Sequence, residues 1–500
     1  MSKTENEPGE SFDNTLEITL ETVKERAVKG IIVLTGRTFL LQIMALIASI
    51  FLGIFLSPAE FGVFFVVSAV VNFLAYFSDV GLAAALIQTK KEVTDADLKT
   101  TFTVQQFIVI TLLVVLFVFV PYFEAYYNLS HEGVLLFYAL GISLLMSSLK
   151  TIPSVLLERE LNFSRLVLPQ VLETVVYHLV AVYFAWKGYG ISAFTYAVLL
   201  RGIVGLIAMY LLKPWLPGLK FSKYSLKKLL KFGVPYQANT FLATIKDDGL
   251  TAFLGGILTP AGLGYLGWAQ KWAKYPLRLF MDNVLKVTFP AFSRMQDSRD
   301  HLSNSVTRSI FFLCFLVFPS LAGFMILAPT LTEIIPRYEK WLPALVPLYI
   351  IGIDTVFATV TTQLTNTLNA IGKITVTFRL MIMWSVLAWV LIPVLALNFG
   401  YIGAAVGYAL VSSSSIIAII VTKHHINFSI KDSVFTPTLG TIVMAVILIV
   451  IRSFLPRNIL SVIILSLTGM VVYMSTLRYL VGDSITGDVK KVAKNLFSKN

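Results

Sequence analysis

Long apolar stretches alternate with short polar or turn-forming segments along almost the whole chain. Each stretch holds the roughly 20 mostly apolar residues that a helix needs to cross a bilayer. Fourteen spans are expected, at 30–56, 62–88, 102–121, 132–152, 166–186, 189–212, 229–258, 261–289, 305–328, 342–371, 374–397, 400–421, 434–453 and 459–481. Glycine- and proline-containing turns such as "LSPAEFG", "KGYG", "LTPAGLG" and "LNFGY" separate them. The predicted fold class is an all-α polytopic membrane protein.

Composition agrees with the pattern. The chain has 500 residues, of which 56% are hydrophobic and only 14% charged. Its net charge of +12 would suggest nucleic acid in a soluble protein. Here the cations are read first as topology. With a cytoplasmic N-terminus, Lys90, Lys91, Arg159, Arg165, Lys220, Lys223, Lys227, Lys228 and Lys231 all fall on the cytoplasmic side. The outer segments keep Lys187, Arg337, Lys340, Arg452 and Arg457. Both termini are therefore expected in the cytoplasm, and no nucleic-acid partner is expected. The first 26 residues are polar and lack the apolar core of a signal peptide. The single cysteine, Cys314, excludes an internal disulfide or a cysteine-based metal site. The tail "DVKKVAKNLFSKN" spaces lysines and apolar residues like a helix that lies on anionic lipid or is simply solvated.

An internal echo organises the spans. "FLGIFLSPAEFG" (Phe51 to Gly62) matches "FLGGILTPAGLG" (Phe253 to Gly264), and "GYGISAFTYA" from Gly188 more weakly matches "GYIGAAVGYA" from Gly400. Spans one to six and seven to twelve are thus expected to form two six-helix bundles. A pseudo-two-fold axis along the membrane normal would relate them, with two C-terminal helices appended. The expected boundaries are a cytoplasmic segment at 1–29, an N-lobe at 30–213 and a linker at 214–228. A C-lobe follows at 229–422, the last two spans at 434–481 and a cytoplasmic tail at 482–500. Paired bundles suit alternating access in a transporter.

The charges inside the spans point to the cargo. Lys271, Lys274, Arg278, Asp282 and Lys286 lie on span eight, and at ~100° per residue they share about a third of the helix circumference. Facing lipid, five charges would cost on the order of 12–17 kcal/mol, so the stripe is expected to face water or protein. Lys286 also lies close enough to a helix end to snorkel. Candidates for the same cavity are Arg37, Lys246 and Arg201 among the cations, and Asp79, Asp247, Asp248 and Asp354 among the carboxylates. The carboxylates are expected to couple an ion, tune the wall or neutralise its cations, and Asp79 in "SDVGL" to cap or pair locally. Glu173 and His178, at i and i+5, have a poor spacing for one face, and His178 is read as a satisfied core histidine. A wall of Lys and Arg suits a polyanion such as a diphosphate, for which arginine offers a bidentate fork and lysine a point charge.

Catalytic signatures are missing. "NAIGKIT" lacks the first glycine and the Ser/Thr of a P-loop, and no G-x-S-x-G or H-E-x-x-H occurs. "DAD" at Asp95 to Asp97 sits in a short loop without a nucleotide-binding domain. No enzyme, metal site or cofactor is expected.

"FLSPAEFGVFFVVSAVVNFLAYFSDVGLAAALIQ" (Phe55 to Gln88) and "PSVLLERELNFSRL" (Pro153 to Leu166) resemble the Wzx-type polysaccharide flippases. That family belongs to the MOP superfamily, with the MurJ lipid II flippases and the MATE exporters. The resemblance implies a two-lobed transporter of polyprenyl-diphosphate-linked oligosaccharide. It implies movement from the inner to the outer leaflet of a bacterial cytoplasmic membrane, for O-antigen, capsule or exopolysaccharide synthesis. It also implies cavity arginines on spans one and eight, to which Arg37 and Arg278 correspond. Expected partners are that lipid-linked substrate, membrane lipids and the polymerase and glycosyltransferase machinery. Membrane potential, H+ or Na+ is the expected drive. The alternative is a MATE-like multidrug exporter, whose cationic cargo would favour an acidic or aromatic cavity over this stripe.

Overall fold

The computed structural model describes residues 20–89 and 92–481, and among these the chain is helical with no strand. Lys90, Lys91, the first 19 residues and the tail from 482 lie outside the described residues. The chain folds as two compact units, 1–260 and 261–500.

The first unit contains α1 (Leu20–Phe55), α2 (Pro58–Ala75), α3 (Leu82–Gln88), α4 (Asp95–Tyr127) and α5 (His131–Leu149). It continues through α6 (Thr151–Arg159), α7 (Phe163–Trp186), α8 (Ser192–Leu212), α9 (Lys223–Thr244) and α10 (Leu250–Ile257). A π-helical turn, Ile245–Gly249, joins α9 to α10. The second unit contains α11 (Pro260–Arg294), α12 (Arg299–Ile334), α13 (Leu345–Ala370) and α14 (Ile374–Ser413). It closes with α15 (Ser415–His425), α16 (Thr436–Phe454) and α17 (Ile459–Val481).

Among the described residues, eleven helical stretches are long and apolar enough to cross a membrane. The difference from fourteen has a physical origin. The segments expected as spans seven and eight are helical, as α9–α10 and α11, but neither is among the eleven. Both carry several charges, which lower their hydropathy: Lys246, Asp247 and Asp248 in one, and the cationic stripe in the other. Spans eleven and twelve run together as one stretch, Ile374–His425. Their division survives as a backbone break at Gly400, with φ 61° and ψ −146° inside α14. That conformation is open to glycine and strained for other residues.

The motifs singled out in the sequence do local structural work. In "LSPAEFG", Ser57 and Glu60 form a reciprocal capping box, and Pro58 opens α2. Its echo "LTPAGLG" likewise places Pro260 at the start of α11. In "SDVGL" the chain turns through Val80 and Gly81, both at positive φ. A Cβ on Gly233 of α9 would stand 2.8 Å from the Val80 carbonyl oxygen, so two glycines let these backbones touch. "DAD" is the first turn of α4: Thr94 caps it, Asp95 pairs with Lys99 at 3.0 Å, and Asp97 pairs with Lys228 at 3.1 Å.

The two stretches that resemble the flippases also meet. The Arg159 guanidinium donates to the carbonyl oxygens of Leu86 at 2.7 Å and Thr89 at 2.8 Å, capping the C-terminus of α3. Below this cap Leu82, Leu86, Leu98, Phe102, Ile152, Leu156 and Trp215 form a buried cluster. In the second unit, Val306, Ile310, Cys314, Val317, Val360 and Leu364 form another, between α12 and α13. Large side chains on the outside, such as Phe107, Val118 and Leu211, are mostly exposed, as a lipid-facing surface requires.

Replacing Arg159 with alanine should leave the α3 carbonyls without their donor and lower stability by about 1–3 kcal/mol. Thermal unfolding of the detergent-solubilised protein checks this, and Arg159→Lys should recover part of the loss.

Candidate functional site

The stripe of span eight lies on a single continuous helix, so its charges share an arc. Helix α11 buries Trp268, Ala269, Trp272, Ala273, Pro276 and Met281. Trp268 stacks on Trp341 at 5.5 Å between ring centroids, and Trp272 on Phe324 at 5.3 Å. These aromatic contacts fix the rotation of the helix within the second unit. Lys271, Arg278, Asp282 and Lys286 are exposed on the other side. None of the four makes an ion pair within 4 Å among the described residues, and Lys271 and Arg278 repel each other electrostatically.

Lys274 differs from its neighbours. Its Nζ lies 3.1 Å from Asp354 Oδ2 on α13 and 5.6 Å from the ring centre of Tyr408 on α14. The lysine is about two-thirds covered and the aspartate more so. One carboxylate and one aromatic face thus hold a cation that hydrocarbon would reject. Three to four helical turns toward the C-terminus of both helices, Asn366 Nδ2 of α13 donates to Thr288 Oγ1 of α11 at 3.1 Å.

The first unit holds its own intramembrane charges. Arg37 of α1 donates to Gln170 Oε1 of α7. One turn further along α7 stands Glu173, 8% exposed. Its Oε1 accepts from Lys150 at the C-terminus of α5. Its Oε2 lies 3.8 Å from Arg201 Nε of α8, and the Arg201 guanidinium also lies over the Tyr177 ring at 5.8 Å. A side chain at Gly205 would collide with the Glu173 carboxylate, so the bare backbone of α8 makes room for it. Gln170, Glu173 and Tyr177 share one face of α7, and that face gathers cations from α1, α5 and α8.

Glu173 is the residue that sequence reasoning passed over. Spacing from His178 gave no shared face, and its real partners lie on other helices. The available signal was its position: Gln170, Glu173 and Tyr177 recur at i, i+3 and i+7 within an apolar span.

The remaining candidates are placed as follows. Lys246 pairs with the adjacent Asp247 at 2.9 Å in the π-helical turn. Asp248, in the same turn, accepts a hydrogen bond from the Asn72 side chain of α2. Asp79 accepts from the Ala83 N–H with both carboxylate oxygens, at 3.2 and 3.1 Å, and so caps α3. Lys271, Lys274, Arg278, Asp282 and Asp354 belong to the second unit, and Arg37, Arg201, Lys246, Asp79, Asp247 and Asp248 to the first. Among the described residues, no group of three or more His, Cys, Asp or Glu side chains is placed to hold a metal ion.

Comparison with known proteins adds the family. Residues 51–346, more than half of the chain, match the polysaccharide biosynthesis protein family. The chain is 22% identical over 502 residues to an uncharacterised membrane protein in the cps region of Klebsiella pneumoniae, covering 97% of this chain and all of that one. It is 25% identical over 280 residues to the succinoglycan biosynthesis transport protein ExoT of Rhizobium meliloti, and 25% over 202 residues to the lipopolysaccharide biosynthesis protein WzxC of Escherichia coli. These two matches span 55% and 40% of both partners, so the chain aligns with about half or less of each. In fold it is similar to the lipid II flippase MurJ in an inward closed conformation, with a TM-score of 0.76 at 16% identity over 91% of this chain and all of that one. An inward-facing multidrug resistance MATE transporter gives 0.59 at 16% identity, over 77% of this chain and 94% of its own.

Glu173→Ala should strand Lys150 and Arg201 in low dielectric and destabilise the protein by about 3 kcal/mol or more. The double variant Lys150→Met, Glu173→Gln should lose less than Glu173→Ala alone. Unfolding midpoints of the three proteins in the same detergent test the pairing.

Proposed function

Given that the chain belongs to the polysaccharide biosynthesis protein family, we propose that it is a flippase for polyprenyl-diphosphate-linked oligosaccharide, moving it from the inner to the outer leaflet of a bacterial cytoplasmic membrane. The observation that carries the proposal is the exposed cationic face of α11. Among the described residues, Lys271 and Arg278 stand on it with no carboxylate within 4 Å, while Lys274 beside them is held by Asp354. Cations kept in a membrane helix without counter-ions await an anion from the cargo. A diphosphate supplies it, with arginine as a bidentate donor and lysine as point charge.

The names of the relatives support this substrate class. ExoT and WzxC are named for the synthesis of succinoglycan and lipopolysaccharide, and MurJ is named a lipid II flippase. The chain acts as a transporter rather than an enzyme, by alternating access of its repeated halves. Outward movement of negative charge gains about 2.3 kcal/mol per charge per 100 mV from an inside-negative potential, which drives export without ATP. Arg37 and Arg201 join the substrate-binding set. Asp354 tunes the wall by holding Lys274 and leaving Lys271 and Arg278 to the cargo. Asp247, which already answers Lys246, has a neutralising role, and Asp79 a structural one.

Arg278→Ala, or Lys271→Ala with Lys274→Ala, should abolish surface polysaccharide while the protein still reaches the membrane at normal abundance. The decisive measurement is translocation of a defined diphosphate-linked oligosaccharide across proteoliposomes. Normal translocation by these variants would remove α11 from the mechanism.

A further inference from the structure

Helices α12 and α16 end, and α17 begins, at the same end of the second unit. This is the outer end if the chain termini are cytoplasmic. Two adjoining recesses lie there and share Arg457. One, of about 280 Å³, is lined by Thr330 of α12, Ile449, Arg452 and Ser453 of α16, Arg457 in the connection, and Ser461 and Leu465 of α17. The other is bounded by Glu333, Pro336, Arg457 and Asn458.

The charges are unequal to their local partners. Arg457 Nη1 is hydrogen-bonded to Glu333, which neutralises that arginine. Arg452 has no carboxylate within 4 Å among the described residues. Thr330 and Ser461 are each only 3% exposed and bring hydroxyl groups to the recess wall. Asn458 caps α17, accepting from the Ser461 N–H and hydroxyl at 2.9 Å, so the positive end of a 23-residue helix points to the same place. Location at the last turn of α16 explains why an arginine is tolerated there. It does not explain a second arginine and two buried hydroxyls around the same hollow, on the side of the chain where Lys and Arg are scarce.

Below the recess the surface turns apolar. Ile442, Val446, Ile449 and Val450 of α16 and Ile463, Ile464 and Leu467 of α17 are all exposed by more than a third. Ile449 belongs to both the recess and this surface. A polar, cationic hollow opening onto an apolar track has the order of groups found in a phospholipid.

We propose that this hollow is a binding site for the phosphate headgroup of an anionic glycerophospholipid, with its acyl chains along α16 and α17. Arg452 supplies the main charge, Arg457 a second donor, and Thr330 a hydroxyl contact, while the Ser461 hydroxyl stays engaged with Asn458. The net positive charge selects an anionic over a zwitterionic headgroup. The site is separate from the α11 face and independent of the transport proposal.

The test uses the full-length protein in detergent, with native mass spectrometry counting bound lipid as phosphatidylglycerol or phosphatidylethanolamine is added. The wild type should retain one phosphatidylglycerol with at least tenfold preference over phosphatidylethanolamine. Arg452→Gln with Arg457→Gln should abolish that preference, whereas Arg294→Gln at the other end of the unit should keep it. Arg452→Lys should retain part of it, which separates lost charge from lost fold. Equal binding of the two lipids by the wild type, or an unchanged preference in the double variant, would overturn the proposal. Displacement of the bound lipid by millimolar inorganic phosphate would overturn it too, by marking a site for free phosphate.

Discussion

A charge in hydrocarbon must be answered by an opposite charge, a hydrogen bond or water, and this constraint organises both units of the protein. The Lys274–Asp354 pair is its clearest expression. Without Asp354 the lysine would sit between aromatic helices with little to offset its desolvation. With it, α11 keeps a cation on its inner flank while its outer flank stays open. Glu173 plays the corresponding part in the first unit, where a single buried carboxylate serves Lys150 closely and Arg201 more loosely.

The two arrangements differ in how much positive charge they leave over. Glu173 faces two cations, and among the described residues Arg37 close by bonds the neutral Gln170. Asp354 takes one cation, and among the described residues no carboxylate lies within 4 Å of Lys271 or Arg278. Each network, among the described residues, therefore ends with surplus positive charge. The acidic residues of the π-helical turn follow another rule: Asp247 is matched within its own turn and Asp248 by an amide of α2. Both lie in the π-helical turn Ile245–Gly249.

The two stretches that resemble the flippases contain few of the candidate binding residues, and their structure explains why they are recognisable. The capping box at Ser57, the glycine contact between Gly81 and Gly233 and the Arg159 cap on α3 each depend on a particular residue type at a particular position. Substitution at such places costs stability whatever the cargo.

By itself the sequence determined what depends on neighbours along the chain. The helical class, most of the span positions, the proline-started helices of the internal echo and the shared arc of the α11 charges all follow from local hydropathy, helical period and backbone restriction. It also showed that charge was present at depths where it needs an answer. Which group answers was decided only by the tertiary structure. Asp354 lies 80 residues from Lys274, and Glu173 is matched by residues of α5 and α8 rather than by its neighbours on α7. Ion pairs act over a few ångströms in space, and only packing brings distant helices that close.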